Sequence, residues 1–359
     1  MDKKKTGTSS AELDNISGSN EAQPQGGSTS PRNRKKNVDI SIIIPARNEE
    51  GNIGKCLQAI YEQDTPYTFE IIVIDSGSTD KTAAIAGSFP RVRLLKIEPH
   101  EFAHGKTRNL GAGKSKGDYI VFLNADAGPI DTNWLTPLIE SLKNDKQAAG
   151  VYSRHIPRQD CHLYMARDLL AAMPPQPSVR SSTGGFDFMI FSTVSAAVKR
   201  EIWEKHPFDD HIIIAEDQDW AKKVLHQGYK IIYEPASMVY HSHNFSPREL
   251  FVIKAKIGRT EKKFKNKFLA LTAGFFLVLG GIFVKFCADI FFILFKSKRA
   301  LAAASKINKS FVGVQGVAFQ KNPLLAEGKN KIKQIGIAAA ARVVGFAGRY
   351  VGWLGAKNG

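Results

Sequence analysis

Val121-Phe122-Leu123-Asn124-Ala125-Asp126-Ala127 decides how this chain is read. An unbroken apolar run that ends in two polar side chains is the pattern of a strand buried on both faces, as in a parallel sheet. Asp118 and Tyr119 lead in, and Gly128-Pro129 break the chain just after. Open α/β sheets hold their ligands at the carboxyl ends of such strands. Asn124 and Asp126 are two apart, so in extended chain they point the same way. That suits a hard cation, which takes oxygen ligands and shares them with phosphates. A strand-end turn with an Asx cap uses the same residues, so the flanking segments have to decide.

Upstream, Ile40, Ile42, Ile43 and Ile44 form a β-branched run stopped by Pro45. Asn48 or Glu49 opens a helix whose Ile53, Leu57 and Ile60 recur at helical spacing. Glu70 to Ile74 is a second strand, ending at Asp75-Ser76-Gly77-Ser78-Thr79-Asp80, where Ser78 or Thr79 caps the next helix. Val92 to Ile97 is a third strand. The resulting βαβαβ unit predicts a mostly parallel sheet with right-handed crossovers and a nucleotide at its edge. A short helix then starts at Lys106. Gly113-Lys114-Ser115 is not a phosphate loop, because Arg108 stands where a glycine is required five places earlier. Lys106 and Arg108 are candidates for phosphate or ribose contacts, and equally for plain surface cations.

Downstream, Asp131 caps a helix carrying Leu135, Leu138, Ile139 and Leu142. Val151 to Ile156 is another strand, and Asp160 to Met173 a helix ended by Pro174-Pro175-Gln176-Pro177. Ser181 to Gly185 is a small, polar loop suited to cover a site. Phe186 to Val198 reads as core. After a strand-like Ile212-Ile213-Ile214, Glu216-Asp217-Gln218-Asp219-Trp220 opens a helix that runs to Gln227 and stops at Gly228. Acids favour a helix amino end through the macrodipole alone. Here Trp220, Val224 and Leu225 take the inner face, which leaves Asp217 near the sheet edge. Lys230 to Tyr233 is a short strand. Beyond it His241-Ser242-His243 alternate, so the two imidazoles face one side and can share a metal.

The net charge of +16 points to an anionic partner: nucleic acid, an anionic membrane or an anionic substrate. The surplus lies mainly in the amino-terminal tail and around residues 254–267, and no recognised nucleic-acid module accompanies it, so nucleic acid is not expected. Three separated cysteines predict a reducing compartment and no zinc site. No secretory signal peptide is expected. Residues 1–37 read as a disordered polar and basic tail, 38–250 as the α/β domain and 251–359 as a basic and apolar helical extension. Within the extension, Phe268 to Phe295 is almost wholly apolar and long enough for a bilayer. Basic flanks on both sides suit an in-plane or re-entrant segment, a buried helix being the alternative. Lys285 and Asp289 are spaced to pair on a helix, and Ile335 to Leu354 forms a second one.

Four segments together resemble the family-2 inverting glycosyltransferases of the GT-A fold. They are Ile43-Ile44-Pro45-Ala46-Arg47-Asn48-Glu49-Glu50, Ile72-Val73-Ile74-Asp75-Ser76-Gly77-Ser78-Thr79-Asp80, Asn124-Ala125-Asp126 and Glu216-Asp217-Gln218-Asp219-Trp220. Phe102 to Asn109 and Tyr152 to Arg158 are similar to bacterial rhamnosyltransferases of surface polysaccharide synthesis. The resemblance implies a GT-A domain: a Rossmann-like, mostly parallel sheet flanked by helices. It implies a nucleotide-diphosphate sugar donor, held by Pro45, Arg47, Glu49, Asp75, Ser76, Lys106, Arg108 and Asn124, with Asp75 on a pyrimidine base. Asp126, with His241 or His243, would hold a divalent cation, Mg²⁺ or Mn²⁺. Asp217 would be the general base, with Glu216 orienting it or the acceptor. Asn124 departs from the family's Asp-x-Asp and leaves Asp126 as the only charged ligand of that motif.

The expected acceptor is a glycan or lipid-linked glycan hydroxyl, and the expected location the cytoplasmic face of the cell membrane, peripheral or through a single segment. Two other readings stay open: transfer to a polyprenyl phosphate, and a non-catalytic nucleotide-sugar or nucleic-acid binder. A two-carboxylate hydrolase also uses paired acids, but a nucleotide-binding βαβ half argues for transfer.

Overall fold

A computed structural model of the chain describes residues 38–183, 191–212, 214–262, 285–291, 293 and 328–355. The first strands are β1 (Ile40–Ala46), β2 (Phe69–Asp75), β3 (Val92–Lys96) and β4 (Tyr119–Leu123). They run parallel in the order β3-β2-β1-β4, with Ile43 beside Ile72 and Phe122. Successive side chains point to opposite faces, and both faces are covered, which is why these strands read as unbroken apolar runs. On one face Ile42, Ile44, Val73, Val121 and Leu123 pack with α1 (Ile53–Tyr61) and α4 (Leu135–Asn144), while α2 (Thr82–Gly87) adds Ala86. On the other, Ile43, Ile72, Ile74 and Phe122 meet Ala112 of α3 (His104–Gly113), Trp203 of α6 (Arg200–Lys205) and Trp220 and Val224 of α7 (Glu216–His226).

Past β4 the sheet changes direction. Its remaining strands are β5 (Gly128–Pro129), β6 (Ala148–Ile156), β7 (Ser178–Arg180), β8 (Ser195–Lys199) and β9 (Lys230–Tyr240). β8 lies antiparallel between β4 and β6, β9 runs parallel to β6, and β7 and β5 pair with the early and late parts of β9. A buried hydroxyl chain ties this half together. Trp134 Nε1 donates to Ser195 Oγ, which contacts Ser153 Oγ, then Ser237 Oγ, which donates to the Trp134 carbonyl.

Several local expectations change. Asp131 does not cap α4; its carboxylate accepts the Asn133 N–H, and Gln63 Oε1 instead takes the N–H groups of Trp134 and Leu135. Asp80, not Ser78 or Thr79, accepts the Thr82 N–H at the start of α2. The helix expected from Asp160 is α5, beginning at Leu163 and ending at Ala172. Ile212 and Ile214 are not in a strand; the chain turns there into Ala215, whose φ of 67° places α7 after a left-handed residue. Lys230 to Tyr233 continues to Tyr240 as one strand.

The tail 1–37, residues 184–190 of the expected loop and core segment, and most of 268–295 lie outside the described residues. Among the described residues no helix is long and apolar enough to cross a membrane. Lys285 and Asp289 do not form the expected pair. Asp289 is fully buried and held by Arg342 and Arg167, because two guanidiniums reach it from other helices. α8 (Pro247–Lys262) packs along α9 (Gly328–Gly355), and Leu250, Ala338 and Ala341 cluster with Leu163 and Tyr164 of α5.

Candidate active site

The carboxyl ends of β1, β2 and β4 meet at one edge of the sheet. Here the loops after β1 and β2 are cross-braced: Asn48 N–H donates to Ser78 Oγ at 2.9 Å and Thr79 N–H to Asn48 Oδ1 at 2.9 Å. This needs Asn48 at φ 53°, a conformation asparagine tolerates. Pro45 sits beside Ile74 in register, and Arg47 is exposed just beyond. Asp75 is buried; one oxygen accepts the Ser78 N–H at 3.3 Å and the other is buried without a partner, as is Ser76 Oγ. Buried polar atoms are normally paired, so Asp75 and Ser76 offer free acceptors where a nucleoside would lie. Glu49 is half-buried; burial, then the nearby Asp126 charge, pushes its carboxyl up against the hydrogen bond from Asn52.

Asp126 lies past the end of β4. The Nε2 atoms of His241 and His243 each stand 3.6 Å from Asp126 Oδ2. One ligand atom from each of the three residues falls within 4.8 Å of the others. His241 Nε2 is buried without a hydrogen-bond partner, and burial holds its pKa down to about 4. It is therefore a neutral imidazole at pH 7, the form that ligates metals. One carboxylate and two imidazoles fit a first-row divalent cation. Two further residues, both in the Tyr152–Arg158 segment, shape this cluster. Arg158 donates from Nη2 to the Asp126 carbonyl and from its N–H to Ser242 Oγ at 3.0 Å. His155, fully buried, stands edge-on to His241 with ring centroids 5.6 Å apart.

The acidic cluster opens α7. Asp217 Oδ2 accepts the Thr193 N–H at 3.2 Å, and Oδ1 accepts the Gln218 N–H at 2.8 Å. Burial, then the adjacent Glu216, pushes its carboxyl up to about 6. That is where a base working near neutrality is best placed. Glu216 is buried and bonded to Arg108 at 2.7 Å. Asp219 faces away and pairs with Lys223 at 2.8 Å. Lys106 is exposed, whereas Arg108 is buried one turn from His104, so the two cations read together in sequence part company in space. His104 lies close enough to feel the Asp217 charge; burial and Arg108 hold it down to about 4 and hence neutral.

Comparison with known proteins adds three findings. Residues 41–206 match the family described as Glycosyl transferase family 2. An O-antigen chain rhamnosyltransferase of Salmonella typhimurium is 34% identical over 220 residues, covering 60% of this chain and 69% of the relative. Another from Salmonella anatum is 34% identical over 218 residues, covering 59% and 69%. A solved mannosyltransferase from Pyrobaculum calidifontis, in complex with GDP-Man and Mn²⁺, superposes with a TM-score of 0.53 at 20% identity, covering 89% of this chain and 88% of that one.

Proposed function

The chain belongs to glycosyl transferase family 2 and is a glycosyltransferase of GT-A fold; from that premise we propose that it moves rhamnose from a pyrimidine nucleoside diphosphate to a hydroxyl of a growing, lipid-linked cell-surface glycan. The observation that carries this reading is Asp217, a carboxyl raised to about 6 at the start of a rigid helix and bridged through Glu216 and Arg108 to the end of β4. The rhamnosyltransferase relatives support the sugar.

In this mechanism Asp217 takes the proton of the acceptor hydroxyl as its oxygen attacks the anomeric carbon. The bond from that carbon to the diphosphate oxygen breaks, its electron pair leaves with the nucleoside diphosphate, and the anomeric centre inverts. A divalent cation held by Asp126, His241 and His243 would offset the charge gathering on the leaving group. Two imidazole ligands favour Mn²⁺ over Mg²⁺, which prefers an all-oxygen octahedron. Asp75 and Ser76 accept hydrogen bonds from the base and ribose. A hydroxyl acceptor needs such a base and a lipid phosphate, already ionised, does not, so the tuning of Asp217 favours the hydroxyl.

The test is a screen of UDP- and dTDP-linked sugars with the purified protein and Mn²⁺, reading release of free nucleoside diphosphate. A rhamnose donor turned over faster than its glucose, galactose and N-acetylhexosamine counterparts is the expected result. Preference for one of those counterparts would overturn the rhamnose assignment.

A further inference from the structure

Arg108 is 4% exposed, and both of its terminal nitrogens are bonded within the protein. Nη1 donates to Glu216 Oε1 at 2.7 Å and to the His104 carbonyl at 3.2 Å, Nη2 donates to Asn124 Oδ1 at 2.9 Å, and Nε is buried without a partner. A guanidinium can only donate, so the atom of Asn124 that faces it is the oxygen and the amide nitrogen points the other way. The two side-chain acceptors come from just past the end of β4 and from the start of α7. The platform under the guanidinium is rigid. A Cβ on Gly111 would stand 2.3 Å from Ile43 Cγ2, and one on Gly105 2.8 Å from the Asp209 carbonyl, so both ends of α3 sit as close to their neighbours as backbone allows.

Charge explains the asparagine. Arg108 carries one positive charge and faces one carboxylate, Glu216; an aspartate at 124 would set a second carboxylate against the same cation. We propose that Arg108 is a positioning residue rather than a nucleotide ligand: it braces Glu216 against Asn124, fixes where Asp217 stands, and requires a neutral acceptor at position 124. This rests on Asp217 being the base. Among the described residues, the charged and titratable groups around Asp217 are Glu216 on its own helix and Arg108 and His104 on α3, with Lys256 of α8 beyond His104.

The experiment compares Arg108→Gln, Arg108→Lys, Asn124→Asp and the double variant Arg108→Gln/Glu216→Gln. UDP binding with Mn²⁺ is followed by calorimetry, and kcat, KM and the acid limb of kcat/KM by transfer. Arg108→Gln should keep UDP affinity within about threefold while kcat falls by about 100-fold, as expected for a misplaced base. Its acid limb should move to higher pH, because Glu216 is left unopposed beside Asp217. The double variant should bring the limb back and recover about tenfold in kcat over Arg108→Gln. Arg108→Lys, which keeps the charge but loses the fork, should lower kcat with the limb unmoved, and Asn124→Asp should raise the limb. A tenfold or greater loss of UDP affinity in Arg108→Gln with an unmoved limb would make Arg108 a nucleotide ligand and overturn the proposal. Equal losses in the single and double variants, with no limb movement, would reduce it to scaffold. Near-normal transfer by Asp217→Asn would instead overturn the base assignment, whatever the Arg108 variants do.

Discussion

Asp217 owes its chemistry to its surroundings, and those surroundings make opposite demands on catalysis and on folding. Its carboxyl is raised to about 6 by burial and by Glu216, so kcat/KM should fall as pH drops through that value. Asp217→Asn keeps the shape without the base and should retain donor binding while transfer falls by about 10²–10⁴-fold. The same shift sets a stability trend. The folded protein holds the proton that the unfolded chain has already released between the ordinary carboxyl range and about 6, so this group's stabilising contribution is lost as pH rises through that window. Asp217→Asn should therefore melt higher than wild type at pH 8 and lose that advantage at pH 5, a comparison that thermal scans decide. Glu216→Gln should cost transfer less than Asp217→Asn, and Asp219→Asn, which only loses Lys223, should cost little. Asp126→Ala should abolish transfer and its response to Mn²⁺ together; full wild-type activity in EDTA would remove the cation from the reaction. That His241 and His243 share a face was readable, because side chains two apart on extended chain point the same way; their placement with Asp126 came only from the family resemblance. The partners of Arg108 were not, since Asn124 and Glu216 lie 16 and 108 residues away in sequence. His155 and Arg158 lie in the Tyr152–Arg158 segment that the resemblance singled out, but nothing in their spacing sets them beside Asp126 and His241.

Secondary-structure elements were readable where one physical signal dominated. The β-branched and apolar runs of β1, β2 and β4 and the helical spacing of α1 and α7 needed only periodicity. Helix starts were harder, because the caps come from elsewhere: Gln63 serves α4 across the fold, and no residue beside α4 could announce it. The antiparallel β8 was also hidden. Ser195-Ala196-Ala197-Val198-Lys199 is short and lacks bulky residues, since it is squeezed between β4 and β6. α3 is the element whose seating matters most to the site, and its glycines fit that role. Gly111→Ala would drive a methyl into Ile43 and Ile74, at 2.3 and 2.9 Å, lifting the helix that carries Arg108. Overpacking of this kind costs about 1–3 kcal/mol. The variant should melt several degrees lower and lose kcat with it, whereas Gly113→Ala, with nothing nearer than 4.0 Å, should do neither.

At the level of the whole molecule, the question is whether the C-terminal helices travel with the catalytic body. Buried charge ties them to it. Arg342 of α9 bonds Asp168 of α5 at 2.5 Å and Asp289 at 2.8 Å, and Arg167 of α5 reaches the same Asp289 at 2.9 Å. Removing one member of such a network strands a buried charge, at a cost of about 3–5 kcal/mol. Large apolar side chains are exposed on this end, with Val252 at 45%, Phe291 at 51% and Val343 at 60%, next to the basic side chains of α8. Together with the net charge of +16, this sets a test on anionic bilayers, where each nearby Lys or Arg would add about 1 kcal/mol. The protein should co-sediment with vesicles containing roughly a third anionic phospholipid and much less with neutral ones. Raising salt to about 1 M shrinks the screening length to about 3 Å and should release the electrostatic share while leaving the apolar share. A chain that stays in the supernatant with anionic vesicles at low salt does not dock on lipid, and its acceptor must then come to it in solution.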